Sequence, residues 1–75
     1  MTLAMVMVNT VPDQMEYVLE KIKEIKGVEE AYMLYGVYDI MAVVKAETTE
    51  EVKKIILRIR TVKHVKSTLT MMVIS

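Results

Sequence analysis

The sequence predicts an α+β sandwich in the order βαββαβ, and three observations carry that prediction. First, an apolar pattern of helical period occurs twice. Met15, Val18, Leu19, Ile22, Ile25 and Val28 are matched, 37 positions later, by Val52, Ile55, Ile56, Ile59, Val62 and Val65. Each set has the i, i+3, i+4, i+7 spacing that gathers side chains on one face of a helix. Second, each helical set lies between runs rich in valine, methionine and leucine, so each half reads strand, helix, strand. Third, 53% of the 75 residues are apolar, a high share for so short a chain. A chain of this length forms one domain, here residues 1–75. Such a domain buries only about 60% of the surface its unfolded form exposes. With no cysteine to staple it, a partner is expected to cover part of that apolar surface.

The elements follow in order. A first strand is expected at 2–9 and a first helix near 13–26. Pro12-Asp13 reads as the opening turn of that helix, where proline loses no hydrogen bond and the acid meets the positive helix end. Lys26-Gly27 reads as a last turn and its glycine cap. A second strand at 28–35 is joined to a third at 38–46 by a tight Gly36-Val37 link, with Gly36 at positive φ. The second helix, near 49–61, opens on Thr48-Thr49-Glu50-Glu51, a capping box with Thr48 as N-cap and Glu51 at the third helical position. Glu50 and Lys54 add a favourable i, i+4 pair. No glycine closes this helix; Lys63-His64 occupies that place. A fourth strand is expected at 66–74. Two such units joined by a hairpin give the ferredoxin-like sandwich, a four-stranded antiparallel sheet in the order 4-1-3-2. Residues 4–8 and 40–44 are the most continuously apolar runs and suit central strands. Glu29, Glu30, Lys66 and Ser67 suit edges.

The central strands do not alternate between apolar and polar. A sheet covered by helices on one side should do so. Here Leu3, Met5 and Met7 oppose Ala4, Val6 and Val8, and Met41 and Val43 oppose Ile40, Ala42 and Val44. In the last strand Leu69, Met71 and Val73 oppose Met72 and Ile74. Two helices cover one face, which leaves roughly eight apolar side chains on the other. A patch of that size exceeds what monomers tolerate. The expected outcome is a homodimer packed sheet against sheet, a dimeric α/β sandwich, with methionine suiting an adaptable interface. The alternative is a neighbouring domain over the same face.

Several functions are disfavoured. Ten basic and ten acidic residues cancel, so no basic face for nucleic acid is expected. RNA-binding relatives of this topology stack bases on aromatic residues, where these central strands carry methionine and valine. No run approaches the ~20 apolar residues of a membrane span. The opening MTLAMVMV lacks a positive n-region and reads as a strand rather than a leader, so a cytoplasmic location is expected. One histidine and no metal-binding spacing leave no metal site, and two glycines leave no phosphate loop, so no cofactor is expected. His64 reads as a solvated loop residue or a partner for the helix C-terminus. Glu16, Glu20, Lys21, Lys23 and Glu24 read as the solvated face of the first helix.

One constellation remains. Asp39 follows the Gly36 hairpin, and the last strand offers Ser67, Thr68 and Thr70. Asp39 could take an ammonium while freed N–H groups and hydroxyls take a carboxylate, which would hold a small zwitterion. The plainer reading of the spacing is that Asp39 caps its own hairpin, with the threonines as ordinary strand formers.

Gly36-Val37-Tyr38-Asp39-Ile40, supported by Gly27-Val28 and Ser67-Thr68-Leu69-Thr70, resembles the effector domain of the Lrp/AsnC (feast/famine) transcriptional regulators, the RAM domain, from about Leu3 to Ile74. That resemblance implies a ferredoxin-like dimer assembled further into rings such as octamers or decamers. It also implies amino-acid effectors bound between dimers, with Gly36, Val37, Tyr38 and Asp39 on the loop side and Thr68 and Thr70 on the strand side. Effector binding would then shift assembly. Family members carry an N-terminal helix-turn-helix domain and this chain starts at the first strand. It is therefore expected to stand alone, not to bind DNA itself, and to act as a sensor or in mixed assemblies with a full-length regulator. Lys63-His64-Val65 departs from the family's glycine-valine and leaves ligand identity open. The rival functions are a structural assembly domain without ligand, a cofactor-free dimeric enzyme of the same fold, and an ACT-type regulatory domain. The last usually has a glycine where this chain has Asn9-Thr10-Val11-Pro12.

Overall fold

The structure, a computed structural model, describes residues 1–74. The chain runs through β1 (Thr2–Thr10), α1 (Met15–Lys23), β2 (Val28–Met33), β3 (Ile40–Ala46), α2 (Thr49–Arg60) and β4 (Val65–Val73). The strands form one antiparallel sheet in the order β2-β3-β1-β4. This is the ferredoxin-like order expected from the two half-repeats. Ala4, Val6 and Val8 of β1 and Ile40, Ala42 and Val44 of β3 meet Val18, Leu19 and Ile22 of α1 and Val52, Ile55 and Ile59 of α2 in a single core. No described helix is long and apolar enough to cross a membrane.

The repeat extends to individual hydrogen bonds. At the end of α1, Ile25 N–H donates to Ile22 O at 3.1 Å and Val28 N–H to Ile25 O at 3.1 Å. At the end of α2, Val62 N–H donates to Ile59 O and Val65 N–H to Val62 O, both at 3.2 Å. Both corners turn through a left-handed residue, Gly27 at φ 101° and His64 at φ 76°. His64 thus occupies the position that glycine fills in the first half. A left-handed backbone costs a side-chain-bearing residue about 1–2 kcal/mol. At Gly27 an added Cβ would also lie 2.2 Å from Ile55 Cδ1. Opposite outcomes are therefore expected: Gly27→Ala destabilises by about 2 kcal/mol or more, and His64→Gly stabilises by about 1 kcal/mol. Urea denaturation of both variants checks the pair.

Several details differ from the sequence expectation. Helix α1 runs from Met15 to Lys23 rather than 13–26, with Gln14 as an N-cap that makes no side-chain bond and Glu24 as C-cap. Lys26-Gly27 is therefore not its last turn and cap but the corner that leads into β2. Pro12-Asp13 instead forms a turn closed by Gln14 N–H donating to Val11 O at 3.1 Å, with Asp13 at φ 71°. Proline in second place and a left-handed aspartate in third make a type II arrangement, which reverses the chain before the helix starts. The link between β2 and β3 is also longer than two residues. Residues 34–39 form it, closed by Leu34 N–H donating to Asp39 O at 2.8 Å, and Gly36 is not among the positive-φ residues. Six residues reverse the chain without a left-handed position, so Gly36 is not needed for its φ. Strand β4 is shifted by one residue, to Val65–Val73. The cap of α2 is as expected: Thr48 Oγ1 accepts from Glu51 N–H at 3.1 Å and donates to Glu51 Oε1 at 3.3 Å.

The second face of the sheet is as apolar as its sequence. The register places Met7 between Met41 and Leu69, Met5 between Val43 and Met71, and Leu3 opposite Val73. These eight side chains are half-buried at best, with Leu69 and Met71 45% and 46% exposed. At the β2 edge the same face becomes polar, where Tyr32 lies opposite Met41. The Tyr32 hydroxyl donates to Glu30, and that bond to a carboxylate raises the phenol's pKa.

Candidate functional site

The candidate residues lie at one end of the sheet, where β1 ends, β3 starts and β4 starts. A β-bulge there sets their positions. Asn9 pairs with Ser67 and the next residue, Thr10, with Val65, which leaves Lys66 as the extra residue on β4. A bulge interrupts the ladder and re-aims neighbouring side chains. The Thr10 N–H, on a residue only 6% exposed, finds Asp39 Oδ2 at 2.8 Å, and the Thr10 hydroxyl reaches the same oxygen at 3.3 Å. The Asp39 N–H in turn donates to Val8 O at 3.0 Å. Val11 N–H donates to His64 O at 2.9 Å and ties in the corner before β4.

Asp39 is therefore a clamp across β1. Its main chain closes the β2–β3 hairpin, while its carboxylate takes the Thr10 N–H just beyond the last β1–β3 pair, Val8 and Ile40, where the ladder offers it no partner. The expectation that it would cap its own hairpin with its side chain is replaced by this cross-strand bond. Asp39→Ala leaves a buried N–H unpaired and is expected to cost about 1–3 kcal/mol. Asp39→Asn keeps an acceptor oxygen and is expected to cost under about 1 kcal/mol. Thermal denaturation of the two variants separates the hydrogen bond from the charge.

The other candidates divide into two groups. Gly36 and Val37 are exposed at the hairpin tip, and Tyr38 and Asp39 are half-buried at its base. Thr68 and Thr70 lie across β1, opposite Val8 and Val6, and so point to the helix-covered side of the sheet. There they line an open groove of about 550 Å³ between β4 and α2, together with Ile56, Arg60, Val65, Lys66 and Ser67. Thr68 and Ile40 flank the same β1 residue, Val8, so they stand two strand spacings apart, roughly 10 Å. Within one chain the hairpin group does not line the threonine groove.

Sequence reading missed Thr10 and Arg60. Thr10 shares the inward parity of Ala4, Val6 and Val8, so a hydroxyl at the end of that row was a visible signal for a buried partner. Arg60 follows Ile56 by one helical turn, which marks the side of α2 that overhangs the last strand. His64 packs edge-on to Tyr17, with ring centroids 5.5 Å apart, and Lys21 Nζ lies 5.6 Å from that tyrosine ring. Among the described residues no group of three or more histidine, cysteine or acidic side chains could hold a metal ion.

Residues 3–75 match the family model described as "Lrp/AsnC ligand binding domain". The chain is 38% identical over 74 residues to an uncharacterized HTH-type transcriptional regulator of Pyrococcus furiosus, covering 93% of this chain and 49% of that protein. It is 44% identical over 57 residues to a homocitrate synthase of Sulfolobus acidocaldarius, covering 76% of this chain and 12% of the enzyme. This chain thus spans about half of the first relative and a small part of the second. Among solved structures, the protein TTHA0845 from Thermus thermophilus superimposes with a TM-score of 0.94 at 26% identity, covering 100% of this chain and 95% of that one.

Proposed function

The chain belongs to the Lrp/AsnC ligand-binding domain family, and from that premise we propose that it is an amino-acid-sensing module whose ligand controls its assembly. The bare second face of the sheet carries the assembly half of this reading. Covering eight half-exposed apolar side chains would contribute on the order of 10 kcal/mol before ordering costs. A second copy supplies a matching surface, because a two-fold contact sets the same apolar patch against itself. The polar pair Glu30 and Tyr32 then lies at the rim, as interfaces require. Dimers would build on into a ring, in which the hairpin Gly36–Asp39 of one dimer faces Thr68 and Thr70 of the next. The roughly 10 Å that separates the two groups within a chain supports a site shared between chains.

The proposed effector is a small amino acid. N–H groups of the hairpin and the threonine hydroxyls would hold its carboxylate, and Asp39 would face its ammonium. A ligand seated between dimers favours whichever assembly contains that junction. The module is proposed to act alone or in mixed rings with a full-length Lrp/AsnC regulator, not to contact nucleic acid itself, and to work in the cytoplasm. The match to a segment of a homocitrate synthase supports a second setting, in which such a module governs a biosynthetic enzyme.

The two rivals of different class make different demands. A cofactor-free enzyme needs polar groups between sheet and helices, where the described core is aliphatic with Thr10 as its one buried polar residue. A purely structural domain needs no ligand. A thermal-shift screen of the twenty amino acids tests the sensing role. One or more should stabilise by about 2.7 kcal/mol at 100 times Kd, with Asp39→Asn weakening the effect. No shift with any amino acid would favour the structural domain.

A further inference from the structure

We infer that the groove between α2 and β4 takes a small dicarboxylate, with Arg60 holding one carboxylate and Lys66 with the β4 hydroxyls holding the other. The groove is lined by two cations, Arg60 and Lys66, by the hydroxyls of Ser67, Thr68 and Thr70, and by Ile56 and Val65. No acid lines it. The nearby acid at this end of the sheet, Asp39, already accepts two bonds from Thr10 on the far side of β1. Lys53, one turn before Ile56 on the same side of α2, adds a further cation rather than a counter-charge.

The local backbone favours this use. Lys66 is the extra residue of the bulge opposite Asn9 and Thr10, so it leaves the regular alternation of β4 and lines the groove beside Thr68. Arg60 ends α2 and offers a planar fork that matches a carboxylate with two parallel bonds. The two aliphatic side chains suit the short carbon chain between two acid groups. A zwitterion with a neutral side chain fits less well. Its ammonium would turn to Asp39 of the neighbouring dimer, and its single carboxylate would answer one of the two cations and leave the other unpaired. A dicarboxylate answers both.

The inference rests on Thr68 and Thr70 belonging to the effector site, and it specifies what that site selects. Isothermal titration of the full chain at low salt tests it, with succinate, glutamate and 2-oxoglutarate as dicarboxylates, leucine and alanine as neutral amino acids, and inorganic phosphate as a simple anion. The dicarboxylates are expected to bind at least about ten-fold tighter than leucine, alanine or phosphate. Arg60→Gln and Lys66→Gln should each weaken them about ten-fold or more, with the melting temperature unchanged in the absence of ligand. Equal binding of succinate and glutamate means that the groove reads carboxylates alone. Preference for glutamate means that an ammonium is read as well. Either agrees with the inference. Leucine or alanine binding tighter than the dicarboxylates would overturn it while leaving the amino-acid sensor standing. Phosphate matching succinate would overturn it as well, because the groove would then be a general anion site. Binding by none of these compounds would sink the dicarboxylate, and the twenty-amino-acid screen would then decide the sensor separately.

Discussion

Met5→Glu is expected to convert the proposed dimer into folded single chains at micromolar concentration. Met5 lies at the middle of the second sheet face, paired with Val43 on one side and Met71 on the other. In a two-fold dimer the substitution places two carboxylates in an apolar interface, each without a partner. Burying one unpaired charge costs several kcal/mol even after relaxation. A loss of about 4 kcal/mol or more in association corresponds to a thousand-fold weaker dimer. The fold itself should survive, because Met5 points away from the core formed by Val6, Ile40, Ala42 and the helices. Size-exclusion chromatography with circular dichroism checks both halves. A variant that remains dimeric would place the interface elsewhere. Met5→Leu keeps the volume and should leave the dimer intact.

Ile59→Ala is expected to remove about 2–5 kcal/mol of stability. Ile59 is fully buried and is the equivalent of Ile22, also fully buried, in the first half. A chain of this size has about 4–11 kcal/mol in total, so the loss takes a large share. Part of it should be recovered by mass action if folding and association are coupled, because a partner that binds only the folded chain stabilises it. The melting temperature of Ile59→Ala should then rise with protein concentration. A melting temperature independent of concentration would separate folding from assembly.

Much of the fold was legible in the sequence because it rests on periodicity. The duplicated pattern from Met15 and from Val52 marked both helices and, through their flanks, the four strands. The lack of alternation in Leu3–Val8 and Ile40–Val44 already showed the second apolar face. The failures share a cause: short-range chemistry read without its tertiary setting. Pro12-Asp13 fits a helix start and a type II turn equally well, and the need to reverse direction after β1 selects the turn. Gly36 carries no strain signal of its own, and the six-residue link made its freedom unnecessary. The Asp39 clamp depends on the β1–β3 ladder ending at Val8 and Ile40, just short of Thr10, and the last pair of a ladder leaves no mark in a single sequence. The groove was half legible, since Thr68 and Thr70 stood out. Arg60 belongs to it only because α2 crosses over β4.

Sedimentation equilibrium of the unmodified chain, from below to above micromolar concentration, decides whether the bare sheet face is an interface. A dimer or a multiple of dimers is expected at micromolar concentration and above, with dissociation only at the lowest concentrations. A well-folded single chain across the whole range would leave that face uncovered, and the shared effector site would fall with the dimer.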